Sequence, residues 1–259
     1  MVSNTVKVPD SRKIRFALVG CGRISANHFD ALEKHADQAE LVDVCDIDPE
    51  ALQKAVARTG ARGHAPSGLH SEQAIEVARS GRHVISEKPM ATRWKDGLAM
   101  YAACQKAGVY LFVVKQNRKN ATLQALRNAI RQGRFGKIYM AVINVFWTRP
   151  QSYYDAAPWR GTWALDGGAF MNQASHYVDR VHAYTATLAR DIEAEDTGVM
   201  SVRWKNGALG SINVTMLTYP KNMEGSIVVL GEKGTVKVGG VAVNKIEHWE
   251  FEDKRPEDE

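Results

Sequence analysis

Two domains of different grammar are predicted for this 259-residue chain. The first is an α/β domain on a parallel sheet, and the second an α+β domain with an open antiparallel sheet. Three observations predict them. Apolar runs and helix-period segments alternate over residues 13–118, the pattern of strands joined by crossover helices. Gly20-Cys21-Gly22-Arg23-Ile24-Ser25 ends the first apolar run and opens the first helix. After residue 137, Lys205-Asn206-Gly207 and Gly231-Glu232-Lys233-Gly234 each separate two strand-like runs, and Asn-Gly in that setting is the strongest short hairpin signal.

Residues 13–20 read as the first strand, and Leu41-Val42-Asp43-Val44-Cys45-Asp46 as the second with an acid at its end. Residues 49–60 form a helix closed by glycine, as do residues 71–81 with Ser71 as N-cap. Residues 83–86 make a short buried strand, 92–108 a helix with Trp94, Leu98 and Tyr101 on one face, and 109–114 another strand. Residues 120–133 carry Leu123, Leu126 and Ile130 at helical spacing. The domain boundary falls near Arg118, giving domains 1–118 and 119–259. In the second, residues 137–147 are a long strand, 199–204 pair with 208–216, and 226–230 with 235–238.

Two places break this grammar. Residues 60–70 contain only Ala61, Ala65 and Leu69 as apolar members, too little for the helix and strand that a βαβαβ unit needs there. No Gly or Pro lies between Gly168 and Gly198, although a helix must end and a strand begin inside that stretch. The sequence therefore predicts missing polypeptide between Ala65 and Pro66 and again near Asp179-Arg180, with one strand of the first sheet absent.

Bulk properties narrow the class. No apolar run reaches transmembrane length, and the N-terminal residues lack the apolar core of a signal peptide. Cys21, Cys45 and Cys104 are odd in number and have no metal-ligand spacing, as in a reduced, cytoplasmic protein without a metal site. Net charge is +5; the tail 247–259 contributes −5, so the remaining residues carry +10. A basic body suits anionic ligands, and no basic-aromatic stripe argues for nucleic acid. The acidic end reads as a frayed tail.

Strand, glycine turn, helix, strand and acid together have one well-understood use, a Rossmann cradle for a dinucleotide. Gly20 makes the tight turn, Gly22 lets the backbone approach a pyrophosphate, and the helix N-terminus offers N–H donors. Asp46 lies 24 residues beyond Gly22, where a carboxylate meets ribose hydroxyls. A carboxylate there repels a 2′-phosphate, which argues for NAD over NADP. Such glycine triplets also arise in ordinary loops; the context on both sides is what makes a nucleotide site here. Ser86-Glu87-Lys88-Pro89 follows a strand end. Its lysine either projects toward a nicotinamide or is a surface residue in a proline turn. Asn172 and His176, four apart, share a helix face; a lone histidine there is usually bonded to the backbone.

Taken together, these residues resemble the Gfo/Idh/MocA oxidoreductases along nearly the whole chain. Gly20-Cys21-Gly22-Arg23-Ile24-Ser25 with His28 resembles the nucleotide loop, Cys45-Asp46 the ribose-binding acid, and Pro66-Ser67-Gly68-Leu69-His70 the T-P-N-x-x-H segment. Glu87-Lys88-Pro89 is the most diagnostic tripeptide. Residues 167–176 resemble the run G-G-G-x-L-x-D-x-G-x-H, with Asn172 where many members have Asp. A closer resemblance is to the bacterial UDP-N-acetylglucosaminuronate 3-dehydrogenases. It rests on residues 115–120, 146–151, 159–163 and 217–222. Chains of that family also carry a strand-containing segment before Pro66, a longer helix end after Asp179 and a segment past Glu259.

The resemblance implies oxidation of a sugar C3 hydroxyl with NAD, in the synthesis of surface polysaccharide precursors. It implies Lys88 and His176 as catalytic residues, and Gly20, Gly22, Arg23, Ile24, Asp46, Ser67, His70 and Glu87 at the cofactor. Lys88, Lys115, Gln116, Asn117, Arg118, Arg160, Asn172 and His176 are expected at a UDP-sugar uronate, Asn172 orienting the sugar. Tyr153, Tyr154, Trp159 and Trp163 are expected at the substrate or packing the domain interface. Val142, Val214 and Val228 are expected on an open sheet face that pairs subunits into a homodimer or homotetramer. The alternatives are another member of the family acting on a different sugar or cyclitol, or a truncated relic without catalysis.

Overall fold

The computed structural model describes residues 12–64, 70–173, 182–186 and 188–258. Two compact units divide the chain, Met1–Leu69 and His70–Glu259. The first unit runs β1 (Ile14–Val19), α1 (Ser25–Lys34), β2 (Ala39–Cys45), α2 (Pro49–Thr59) and β3 (Arg62–His64). Its sheet is parallel, in the order β1-β2-β3. Register runs from Ile14 opposite Ala39 to Val19 opposite Cys45, so both strands end side by side and bring the glycine turn to Asp46. Phe29, Val44, Ala55 and Ala61 form the core, with Leu18, Leu41 and Leu52 against it. α2 starts on the Asp48 side chain, which accepts the Glu50 N–H at 2.9 Å, and stops at left-handed Gly60.

One expectation is overturned here. A strand does occupy Arg62–His64, parallel to Asp43–Cys45. Its residues are Arg-Gly-His, so no apolar pattern announces it; backbone pairing makes it a strand, and Gly63 packs directly under Val56 and Leu52. The other half of the expectation stands differently. Among the described residues of the first unit β1 pairs with β2 alone. The stretches around 65–66 and 179–180 lie outside the described residues.

The second unit begins with α3 (His70–Arg79), β4 (Val84–Ser86), α4 (Trp94–Ala107) and β5 (Leu111–Val113). β4 and β5 pair in parallel, and Ala74, Ala78, Val84, Met100 and Cys104 form a core beneath them. The Trp94–Leu98–Tyr101 face of α4 is the outer one, with Trp94 82% exposed. A 3₁₀ turn (Gln116–Lys119) and α5 (Ala121–Arg131) lead to β6 (Ile138–Phe146). After it come α6 (Gln151–Asp155), a π-helical turn (Ala169–Gln173), β7 (His182–Ala186) and β8 (Thr197–Arg203). The chain ends with β9 (Leu209–Thr215), β10 (Glu224–Gly231), β11 (Gly234–Gly239) and β12 (Lys245–Phe251). Both predicted hairpins form, β8–β9 and β10–β11.

The large sheet is mixed rather than antiparallel. Its order is β12-β11-β10-β6-β9-β8-β7, and β6 runs parallel to β9. The long connection after β6 returns to the end where β6 began, a crossover that hairpin signals cannot reveal. One face is covered: Ile143, Val145, Met200, Val202, Ile212 and Val214 pack against Phe170, and Val229, Val236, Val238 and Phe251 against Leu126 and Phe135. Val214 is therefore not on the open face, being 1% exposed and opposite core Val145. Val142 and Val228, opposite one another, lie on the other side with Asn144 and Asn213, which bond at 2.9 Å. Among the described residues no helix is long and apolar enough to cross a membrane.

The acidic end is anchored, not frayed. The Arg134 side chain is 4% exposed and donates to Asp258 at 2.6 and 2.8 Å and to Asp253 at 3.2 Å. Its guanidinium lies 4.0 Å from the Phe251 ring centre. Removing it takes away these hydrogen bonds and the contact with Phe251, although Asp253 keeps Arg255 and Asp258 keeps Trp249, so Arg134→Ala should cost roughly 1–3 kcal/mol in denaturant unfolding. The Arg134 hydrogen bond holds the Asp258 carboxyl well below the ordinary range. Its stabilising contribution is thus full above the unfolded-state value and is lost as pH falls through the folded one. Asp258→Asn should accordingly lower the melting temperature at neutral pH, and the gap to wild type should close on acidification below the ordinary carboxylate range.

Candidate active site

In the first unit the site is the junction of β1 and β2. The Gly20 N–H donates to the Cys45 carbonyl at 2.7 Å, and Gly20 has φ +94°, a conformation that favours glycine. The Asp46 carboxylate accepts the Cys21 N–H and, at 2.7 Å, the Asp48 N–H. It is fixed by backbone on both oxygens, each keeping a lone pair for a further donor. A Cβ at Gly20 or Gly22 would meet no protein atom within 4 Å, so the loop surrounds open space that a ligand can enter. Arg23 and Ile24 are exposed beside it, and α1 begins without a side-chain cap or an acid in its first turn. These features fit NAD: a helix start for the pyrophosphate and a held carboxylate for the ribose. Of the other expected cofactor residues, Ser67 lies outside the described residues. His70 is described only as the first residue of α3, and Glu87 Oε2 accepts the Lys88 N–H at 3.1 Å.

In the second unit the site is a chain of side chains. Lys88, just past β4, donates from Nζ to the Asn172 carbonyl at 3.0 Å and to Asn172 Oδ1 at 3.2 Å. Asn172 Nδ2 donates in turn to Asp166 Oδ1. Asp166 is 5% exposed, and its Oδ2 accepts the Gly161 N–H at 2.9 Å. Burial pushes the Asp166 carboxyl up; the bonds from Gly161 and Asn172 and the charges of Lys88 and Arg160 oppose the rise. Both ends of the Asn172 amide are thus engaged inside the protein, so it holds Lys88 rather than serving only the sugar. His176 lies outside the described residues.

Cations and aromatics surround this chain. Burial, then the charges of Lys88 and Arg118, push the Lys115 ammonium down. Gln116, Asn117 and Arg118 follow on the 3₁₀ turn. The Arg160 guanidinium lies 4.3 Å from the Tyr153 ring centre and donates to the Tyr153 carbonyl at 2.6 Å, while its buried Nε has no partner among the described residues. Tyr154 is buried; desolvation, with Asp166 next, pushes its hydroxyl up to about 12. Trp159 and Trp163 are half exposed. Sequence reasoning gave no role to Asp166 or Glu195. Glu195 accepts the Phe170 N–H at 3.0 Å, its carboxyl is pushed up by burial, and its Oε2 has no partner among the described residues. The available signal for Asp166 was a carboxylate abutting the Gly167-Gly168 pair.

A glycine turn with a backbone-held acid in the first unit, and a lysine held beside cations in the second, are the features expected of a nucleotide-dependent oxidoreductase. Residues 14–65 and 64–115 match the oxidoreductase family with NAD-binding Rossmann fold, and residues 123–237 match the GFO/IDH/MocA C-terminal domain. The chain belongs to the GFO/IDH/MocA oxidoreductase family. The WlbA dehydrogenase of Bordetella pertussis, crystallised with NADH and UDP-GlcNAcA, is 64% identical with a TM-score of 0.92, over 96% of this chain and 83% of that one. The WlbA dehydrogenase of Chromobacterium violaceum, also with NADH and UDP-GlcNAcA, is 63% identical with a TM-score of 0.93, over 98% and 82%. D-apiose dehydrogenase of Paraburkholderia graminis is 34% identical over 264 residues, covering 88% of this chain and 68% of that protein.

Asp46 as the selector of NAD over NADP gives a direct test. Asp46→Ser removes the repulsion of a 2′-phosphate and should raise the NADP-to-NAD affinity ratio by about tenfold, some 1.4 kcal/mol. Titration of both cofactors by fluorescence measures it, and an unchanged ratio removes Asp46 from the selection.

Proposed function

We propose that this protein oxidises the C3 hydroxyl of UDP-N-acetylglucosaminuronate with NAD, in the synthesis of bacterial surface polysaccharide precursors. One observation carries the reading: an aligned relative at 64% identity over 96% of this chain holds NADH and UDP-GlcNAcA. The site's own chemistry agrees. A uronate and a diphosphate call for cations and forked donors, which Lys88, Lys115, Arg118 and Arg160 supply. Gln116 and Asn117 add amides.

In this reading His176 takes the hydroxyl proton as general base. Lys88, steadied by Asn172, stabilises the alkoxide as charge develops on the C3 oxygen. Gly20, Gly22, Arg23, Ile24, Asp46, Ser67, His70 and Glu87 would hold NAD, which would supply the hydride acceptor. The carbonyl product keeps the uronate and diphosphate by which the substrate was held. Residues 1–118 form the cofactor domain, which also lends Lys88 and residues 115–118 to the substrate, and 119–259 serve the substrate and self-association, in a cytoplasmic enzyme.

Purified protein given NAD and UDP-N-acetylglucosaminuronate should form NADH, and UDP-N-acetylglucosamine or inositol should not replace that substrate. Turnover of a cyclitol instead would move the activity to another member of the family. His176→Ala should lower kcat by roughly 10²–10⁴ with NAD affinity kept; near-wild-type turnover would remove His176 from the mechanism. The open face holding Val142 and Val228 is proposed to pair subunits into a dimer or a dimer of dimers. Val142→Glu should then shift the sedimenting species toward monomer, whereas a wild type that is monomeric at micromolar concentration refutes the pairing.

A further inference from the structure

We propose that Asp166 is a positioning residue for Lys88, acting through Asn172. The carboxylate stands one side chain behind the lysine, with the Asn172 amide between them. The proposal rests on Lys88 being the group that faces the reacting oxygen.

An asparagine amide has two unlike ends, and only its oxygen can serve an ammonium. Asn172 presents Oδ1 and its backbone carbonyl to Lys88 Nζ, at 3.2 and 3.0 Å. What fixes that orientation is Asp166: an ionised carboxylate only accepts, so it holds Nδ2 and leaves Oδ1 for the lysine. A flipped amide would set NH₂ against ammonium and oxygen against carboxylate, a mismatch at both contacts. Asp166 is itself fixed, since Gly161 N–H donates to its Oδ2 at 2.9 Å and its own N–H donates to the Thr162 carbonyl at 3.1 Å. The segment after Lys88 is tied to the same turn, Thr92 Oγ1 donating to the Ala164 carbonyl at 2.8 Å.

The sequence carries a matching sign. Aligning His176 with the pattern's histidine puts Asn172 at the pattern's Asp and Asp166 at its first Gly. A carboxylate is lost at one position and gained at another, and those two side chains are hydrogen-bonded to each other. The arrangement also suits the local charge. Lys115 shares its surroundings with Lys88 and Arg118, which after burial push its ammonium down, so Lys88 stands in a cationic cluster. Asp166 answers that cluster from behind the amide, where Arg160, Tyr154 and Glu195 are its other titratable or charged neighbours among the described residues.

The test uses the full chain as Asp166→Asn, Asn172→Leu and the exchange variant Asp166→Asn/Asn172→Asp. Two readouts are taken: the pH profile of kcat with NAD and the nucleotide sugar, and the titration of Lys88 in protein labelled with ¹³Cε-lysine, its resonance assigned by Lys88→Arg. Asp166→Asn should lower kcat roughly 10–100-fold, the size expected for a partner that orients a functional group from behind. NAD affinity and the substrate KM should hold, and Lys88 should titrate at lower pH. Asn172→Leu, which cuts the chain in its middle, should move Lys88 the same way with Asp166 intact. The exchange variant should return the Lys88 titration and most of the lost kcat, because a carboxylate again stands behind the lysine. An unmoved Lys88 in both single variants, or an exchange variant no better than Asp166→Asn, overturns the proposal. So does loss of NAD affinity and cooperative melting as the only effect of Asp166→Asn with Lys88 unmoved in Asn172→Leu, since Asp166 then serves only folding. The Lys88 titration needs no turnover. If it follows the pattern while wild type leaves the nucleotide sugar untouched, the substrate reading fails and the positioning role stands.

Discussion

The second unit depends on one constraint: an irregular connection must cross over one face of a seven-stranded sheet so that the chain leaving β6 can supply β9 parallel to it. Such a connection leaves backbone N–H groups outside the sheet's own pairing, some of them buried, and the buried ones need an acceptor. Here carboxylates provide them. Asp196, fully buried, accepts the N–H groups of Leu188, Ala189 and Arg190; Glu195 accepts that of Phe170, and Asp166 that of Gly161. Glu193 accepts the Trp163 N–H from a more exposed position. The π-helical turn bearing Asn172 is therefore placed by buried acids, and Asn172 in turn places Lys88. Close packing enforces the arrangement: a Cβ at Gly168 would run into the Glu195 carboxylate.

This explains which parts of the structure the sequence disclosed. Both hairpins and the βαβ opening were legible because they are written locally, in Asn-Gly, in Gly20 with Gly22, and in apolar runs of the right length. The strand Arg62–His64 was not, since its partner supplies the pairing and its side chains say nothing. The parallel β6–β9 pair was not, because the direction of a strand after a long connection is a property of the connection. Asp166, Glu195 and Asp196 carried no local signal of their role, and only the fold shows them accepting from backbone N–H groups. Lys88 and Asn172 were found by motif, but that they bond each other was visible only in space. The tail read as frayed because the charge count cannot see Arg134, whose partners lie 119 and 124 residues away.

The first unit carries a different tension. β1 presents the glycine turn, yet among the described residues of its own unit it pairs on one side only, with β2. The family match to the nucleotide-binding region comes in two pieces that meet at residues 64 and 65. The alignment to D-apiose dehydrogenase is longer than this whole chain, 264 residues, although it uses only 88% of it. That relative therefore carries internal residues with no counterpart here. Both facts bear on the expected absence of polypeptide after Ala65. They leave intact what β1 and β2 already accomplish, since the held Asp46 carboxylate and the open space at Gly20 and Gly22 come from Gly20–Asp46 alone.

Acids thus act in two opposite senses within one unit, and linkage separates them. Asp258 is held by Arg134, its carboxyl well below the ordinary range, so its contribution is lost as pH falls through the folded value. Asp166 and Glu195 are raised by burial, so the folded state binds their protons more readily than the unfolded chain does. Their ionisation costs stability that is felt in full above the folded values and disappears as pH falls below the unfolded ones. At neutral pH the unit therefore carries a burden at its site and a gain at its far end. An apolar pair at 166 and 195 would relieve the first, but it would leave the Gly161 and Phe170 N–H groups buried without acceptors and Asn172 free to turn. The charge is retained where it aims a lysine, and stability is recovered where the chain has no chemistry to perform.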